Sequence, residues 1–227
     1  MAPLIGYWNV RGNLESIILT LKQAKVSFKV RRYKLGDAPD FDKSDWLNEK
    51  YKLGLDYPNV PYYIDGDIKI TQTLAILRYL ARKHDLGPRN DAEAIRSDIV
   101  EQGIFEMMNS LWTATHVETD QEFEKCRPGF ETYLVEKLAH TANVLGSNKF
   151  VLGDRVTYVD FLLYTTLDYI RLFKPSSIDP HANLKSYLDR IEALPEINKY
   201  YKSEGFSRFP ITYEIAKWGN LEKNAPF

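Results

Sequence analysis

Leu4-Ile5-Gly6-Tyr7-Trp8-Asn9-Val10-Arg11-Gly12-Asn13-Leu14-Glu15-Ser16-Ile17-Ile18-Leu19-Thr20-Leu21-Lys22-Gln23-Ala24-Lys25, with Phe28 to Leu35 after it, decides the fold. Leu4 to Val10 is an apolar, aromatic-rich run that reads as a buried strand. Leu14 to Lys25 then carries apolar residues at 14, 17, 18, 21 and 24, a helical stripe. Phe28 to Leu35 reads as a second strand. Strand, helix, strand in so short a span is a βαβ unit, whose crossover should be right-handed.

Working outward, a polar loop Gly36-Asp37-Ala38-Pro39-Asp40 leads to a helical turn at Lys43 to Lys50. Val60 to Ile64 and Ile68 to Thr71 flank Asp65-Gly66-Asp67, a hairpin signal. Thr73 to His84 returns to helical spacing. The first 84 residues thus read βαβ followed by ββα. Asp85 to Asp91 is rich in breakers and reads as a linker between domains 1–84 and 92–227. Beyond it the pattern is helical: Ile95 to Trp112, Tyr133 to Leu145, and two shorter helices within 184–202 broken near Pro195. Thr157 and Asp160 form a capping box, with Val156 and Phe161 at the positions of a hydrophobic staple. The fold class is α/β plus all-α.

Composition removes whole classes of function. The 227 residues include 30 Lys+Arg against 31 Asp+Glu, a net charge of −1 that argues against nucleic acid or an anionic membrane as the main partner. Hydrophobic residues make up 44%, too many for a disordered chain. The single cysteine, Cys126, excludes an internal disulfide, a Cys-x-x-Cys redox centre and a cysteine-rich zinc site. The four histidines, at 84, 116, 140 and 181, fall into no metal-ligand spacing. There is no glycine-rich phosphate loop. No apolar run approaches the roughly 18 residues of a membrane span, and neither terminus carries a targeting signal. A cytoplasmic protein is expected.

Gly6-Tyr7-Trp8-Asn9-Val10-Arg11-Gly12 resembles the cytosolic glutathione transferases, and most closely their mu class. The likeness continues through Gly36-Asp37-Ala38-Pro39-Asp40-Phe41-Asp42, Trp46 to Lys50, Leu53 to Tyr62 and Thr71 to Tyr79, and extends to the Thr157 box and the Trp218 region. It implies a thioredoxin-like first domain, a helical-bundle second domain and a homodimer. It also implies conjugation of reduced glutathione, a co-substrate rather than a tightly bound cofactor, to small hydrophobic electrophiles in detoxification.

The resemblance assigns the catalytic role to Tyr7, one of 15 tyrosines. Its hydroxyl would donate to the glutathione sulfur. A free thiol of pKa about 8.5 is only roughly 3% thiolate at pH 7. Lowering that pKa by about two units takes about 2.7 kcal/mol, within reach of hydrogen bonding to a charged group. Val60-Pro61 resembles a cis-proline turn that leaves a backbone edge for the peptide-like tripeptide. Gln72 and Thr73 stand at a helix N-terminus, where free amides suit the γ-glutamyl carboxylate, although Thr73 also reads as a simple N-cap. Trp46 and Lys50 share a helical face and are implied at the glycine end. Trp8, Asn59, the Val60 backbone and, from the other subunit, Glu106 complete the implied glutathione contacts.

Val10, Met108, Leu111, His116 and Tyr213, with Trp8, form the expected electrophile site. For the dimer the resemblance implies Tyr57 as an aromatic key, with Arg78 and Arg82 facing the axis; both arginines equally suit a helix C-terminus. Three features depart from the mu pattern. Asn13 replaces an apolar residue beside the sulfur, His116 stands where a tyrosine is common, and the segment Val117 to Phe123 is longer than usual. A non-catalytic carrier or structural protein of the same fold, and a glutathione-dependent isomerase, remain as alternatives.

Overall fold

The computed structural model describes residues 2–220. The last residues of the expected second domain, 221–227, and with them the C-terminal Asn224 to Phe227, lie outside the described residues.

Strand β1 (Leu4–Trp8), helix α1 (Leu14–Gln23) and strand β2 (Lys29–Tyr33) form the βαβ unit, with β1 and β2 parallel. Helix α2 (Ser44–Lys50) follows. The hairpin β3 (Tyr62–Asp65) and β4 (Ile68–Thr71) turns at Gly66 with φ +60°, a conformation glycine adopts without a Cβ penalty. β3 pairs antiparallel with β1, giving the sheet order β2-β1-β3-β4, and helix α3 (Thr73–Lys83) closes the unit. This is the thioredoxin-like arrangement. The Val60–Pro61 peptide is cis, as are Ala38–Pro39 and Phe209–Pro210, which the sequence did not signal.

The remainder is helical: α4 (Asp91–Thr115), α5 (Asp120–Leu145), α6 (Tyr158–Phe173), α7 (Ala182–Glu192) and α8 (Pro195–Tyr201). α6 is buried over nearly its whole length and packs against α1, α4 and α7, so it forms the centre of the core. α7 and α8 break at Leu194–Pro195 as the sequence suggests. Helix α5 differs from expectation. It begins at Asp120 rather than near Tyr133, because Thr119 and Glu122 form a capping box. The segment 117–123, read as longer than usual, therefore includes the first turn of a helix.

One buried ion network joins the two parts. Arg11, 5% exposed at the end of β1, places Nη2 3.0 Å from Asp168 Oδ2 in α6 and 3.3 Å from Glu15 Oε1 in α1. Nearby, the amides of Arg11 and Gly12 donate to the carbonyls of Pro210 and Ile211, each at 2.9 Å. The C-terminal segment is thereby held against the end of β1.

Candidate active site

Tyr7 is the penultimate residue of β1 and is 8% exposed. Three groups fix its surroundings. Arg32 in β2 donates from Nη1 to the carbonyls of Trp8 (3.1 Å) and Val10 (2.7 Å), bracing the turn after the strand. Tyr169 of α6 donates to the Gly12 carbonyl at 2.9 Å. The Asn13 backbone amide donates to the Tyr7 hydroxyl oxygen at 3.1 Å. The phenolic proton is thus left free to donate elsewhere. Burial pushes the Tyr7 phenol above its ordinary pKa, against smaller opposing effects of the Asn13 amide and the Arg32 charge. At neutral pH the group is a neutral donor.

The hydroxyl faces a cavity of about 370 Å³ lined by Tyr7, Val10, Gly12, Asn13, Trp112, Thr113, His116, Ile211, Thr212 and Tyr213. A second cavity of about 330 Å³, with Leu35, Gly36, Asp37 and Phe41 in its wall, shares Val10, Thr212 and Tyr213 with the first. Tyr213 is seated edge-on against Trp8 with ring centroids 5.5 Å apart. His116 holds Nδ1 3.0 Å from the Trp112 carbonyl. A carbonyl only accepts, so Nδ1 carries the proton in this bond. Desolvation lowers the His116 pKa below its ordinary value, with the Trp112 carbonyl acting in the other direction. A neutral ring then presents Nε2 as an acceptor.

Met108 and Leu111, expected at the electrophile site, are instead fully buried in the core and line neither cavity. The Thr166 hydroxyl of α6 lies 4.0 Å from the Met108 sulfur, so this side of α4 packs on α6. With about 100° of turn per residue, Trp112, Thr113 and His116 present the cavity side. Among the cavity residues, Gly12, Trp112, Thr113, Ile211 and Thr212 were not anticipated. Trp112 could have been, since it lies one helical turn before His116.

The residues expected around the tripeptide, Glu106 apart, lie in the first domain. Trp8 is half-buried, and Trp46 is buried beside Tyr33 and Tyr62. Lys50 is the last residue of α2, with Nζ 5.2 Å above the Tyr51 ring and no ion pair among the described residues. The Val60 amide, expected to be free, donates to Asn59 Oδ1 at 2.9 Å, a local bond that a peptide ligand would exchange. Gln72, not Thr73, occupies the cap position of α3. It has φ +72°, which is unusual for a residue with a side chain, and Thr73 is the buried first helical residue. Strain of this kind concentrates at ligand sites.

Other expected residues are engaged or exposed elsewhere. Glu106 stands 64% exposed on α4, 3.7 Å from Lys137 of α5. Arg78 bonds the buried Glu101, with Nε–Oε2 at 3.1 Å, so its charge ties α3 to α4. Arg82 is exposed, and Tyr57 is 78% exposed.

Residues 3–82 match the family model described as "Glutathione S-transferase, N-terminal domain", and residues 106–204 match "Glutathione S-transferase, C-terminal domain". The chain is 46% identical over 220 residues to "Glutathione S-transferase Mu 1" of Mus musculus, covering 97% of this chain and all of that protein. It is 44% identical over the same length to "Glutathione S-transferase Mu 2" of Homo sapiens. The chain belongs to the mu class of the glutathione S-transferases. A solved glutathione S-transferase, Blo t 8, superposes with a TM-score of 0.89 at 32% identity, over 96% of this chain and all of that one. In this transferase, then, the Tyr7 cavity opens at the end of the first strand, where the two family domains meet. No helix among the described residues is long and apolar enough to cross a membrane, and no cluster of metal-ligating residues occurs among them.

Proposed function

We propose that this transferase binds reduced glutathione along the first domain and joins its thiolate to small hydrophobic electrophiles held in the Tyr7 cavity. The observation that carries this reading is the Tyr7 hydroxyl: buried, neutral, and accepting from the Asn13 amide, so that its own proton is available to a sulfur. Bound glutathione gives up its thiol proton to solvent, and Tyr7 then donates a hydrogen bond to the sulfur without losing its own proton. The sulfur lone pair forms the new bond to carbon. With an aryl chloride, chloride leaves with the electron pair of the broken bond. Lys50 and the α3 N-terminus meet the two carboxylates of the tripeptide, with Trp8, Trp46, Asn59 and Val60 along its length. Val10, His116 and Tyr213 contact the electrophile.

A cytoplasmic setting suits the lone free cysteine, exposed Cys126, and a thiol co-substrate kept reduced. A homodimer suits the exposed Tyr57 together with a groove between α4 and α5 lined by Ile99, Val100, Gly103, Ile104, Thr141 and Val144. In that assembly Glu106 contacts the other subunit's tripeptide, and Arg78 and Arg82 border the axis.

The test is conjugation of glutathione to chlorodinitrobenzene by the wild type and Tyr7→Phe. The variant should lose about tenfold or more in kcat/KM near neutral pH, with its pH profile moved upward by one to two units. Full activity with an unmoved profile would remove the role given to Tyr7. A wild type that binds glutathione without turnover would make the protein a carrier.

A further inference from the structure

The hydrogen bonds around Asn13 fix the direction of its side-chain amide. The Trp112 indole Nε1–H only donates, so the atom it reaches at 3.2 Å is the amide oxygen, Oδ1. Nδ2, with its two N–H donors, then points to the other side. Among the described residues Nδ2 has no hydrogen-bond partner, and it is not one of their buried unpaired polar atoms, so it keeps some exposure. Asn13 lines the same cavity as Tyr7, and its own backbone amide lies 3.1 Å from the Tyr7 oxygen.

The ordinary use of asparagine at this point of a fold is excluded. Asn13 holds the cap position of α1, but its backbone is helical (φ −72°, ψ −8°) and its side chain caps nothing. It is instead held across to α4 by Trp112. The amide is thereby anchored on the wall of the cavity that Tyr7 also lines.

We propose that Asn13 is a second catalytic donor, its Nδ2–H hydrogen-bonding the glutathione sulfur beside the Tyr7 hydroxyl, with Trp112 as the residue that positions the amide. This rests on the glutathione-transferase reading of the cavity. No covalent bond to the protein forms; the thiol proton still leaves to solvent, and the thiolate is held by two donors instead of one. On the sulfur Trp112 acts through Asn13, since losing its indole N–H frees the amide to turn over.

The experiment is a pH titration of the thiol in the enzyme–glutathione complex, read by the ultraviolet absorbance of the thiolate. It uses the wild type, Asn13→Ala, Asn13→Leu, Asn13→Ser, Trp112→Phe and Tyr7→Phe, each checked for a native circular dichroism spectrum. Asn13→Ala and Asn13→Leu should each raise the thiol pKa by about one unit. Asn13→Ser, which keeps a hydroxyl donor, should restore part of the shift, and Trp112→Phe should show a smaller rise of the same sign. At neutral pH kcat/KM for chlorodinitrobenzene should fall about threefold or more and recover above the shifted pKa. If Asn13 merely anchored Trp112, its removal would change KM for the electrophile and leave the thiol titration alone. An unmoved titration in both Asn13→Ala and Asn13→Leu, beside a raised one in Tyr7→Phe, overturns the proposal. An unmoved titration in Tyr7→Phe, or no thiolate signal in the wild type, means that the reading of the cavity has failed, and the proposal falls with it.

Discussion

Gly12 decides where the Tyr7 hydroxyl stands. Its φ is +39°, and a Cβ built on it would come within 2.6 Å of the Tyr7 oxygen. The backbone there cannot easily yield, because its amide is held by Ile211 and its carbonyl by Tyr169. In Gly12→Ala the tyrosine must move instead. We expect a loss of at least tenfold in kcat/KM, since a misplacement of about 1 Å costs that much or more. Strain at positive φ should lower stability by about 1–2 kcal/mol. Steady-state kinetics beside urea denaturation separates the two effects; wild-type activity in this variant would show that the hydroxyl has no fixed working position. At this scale the sequence was only partly legible. Tyr7 could be singled out through a family pattern, but the groups that make it a donor come from residues 13, 32 and 169 and are brought together only by the fold. Met108 and Leu111 were misplaced for a related reason. An apolar residue on a long helix looks the same whether it meets a core or a pocket.

Helix α6 shows how a local signal becomes a structural device. Its capping box is readable from Thr157 and Asp160 alone, whereas the matching box at Thr119 and Glu122, which starts α5, is less legible. Pro128 inside α5 obscures the pattern, since proline ordinarily breaks a helix interior. In the folded chain the Asp160 carboxylate accepts from the amides of Val151 and Thr157 and the Thr157 hydroxyl, all at 2.8 Å, and from the Tyr187 hydroxyl at 3.1 Å. Burial nonetheless dominates and pushes its pKa up to about 6, the hydrogen bonds acting the other way. A folded pKa above the unfolded value of about 3.9 means that the native state holds the proton longer. Stability from this group is therefore full below about pH 4 and lost as pH rises through about 6. Asp160→Asn does not titrate. Although the variant should be less stable throughout, the gap between wild type and variant should widen by about 2 kcal/mol as pH falls from neutral to about 4. Denaturation midpoints across that range check it, and a constant gap would show that Asp160 is ionised throughout.

For the whole molecule, the alternation of strands and helices was legible because buried strands and amphipathic helices carry their own periodicity. The joining of the parts was not, since Arg11 and Asp168 are far apart in sequence and each looks like an ordinary surface charge until buried together at 5% and 1% exposure. The proposed assembly of two molecules draws on surfaces that a single chain leaves uncovered. Tyr57 projects from the connection between α2 and β3, and the α4–α5 groove of about 190 Å³ is lined largely by apolar side chains. Ile95, Ile99, Val135 and Val144 are exposed on the same two helices. A chain that carries both an aromatic projection and an apolar groove can satisfy each with a second copy about a two-fold axis, so that the contact occurs twice. Each loss is then doubled per dimer. Tyr57→Ala removes two buried aromatics from the assembly, and at about 2 kcal/mol or more for each anchor the dimer should weaken by roughly three orders of magnitude. Sedimentation velocity over a dilution series should show the wild type as a dimer and the variant dissociating at micromolar concentration. Val144→Lys, which puts a charge into the groove, should act in the same direction from the other side of the contact. A wild type that sediments as a monomer, or an unchanged balance in both variants, would leave Tyr57 and the groove as unrelated surface features.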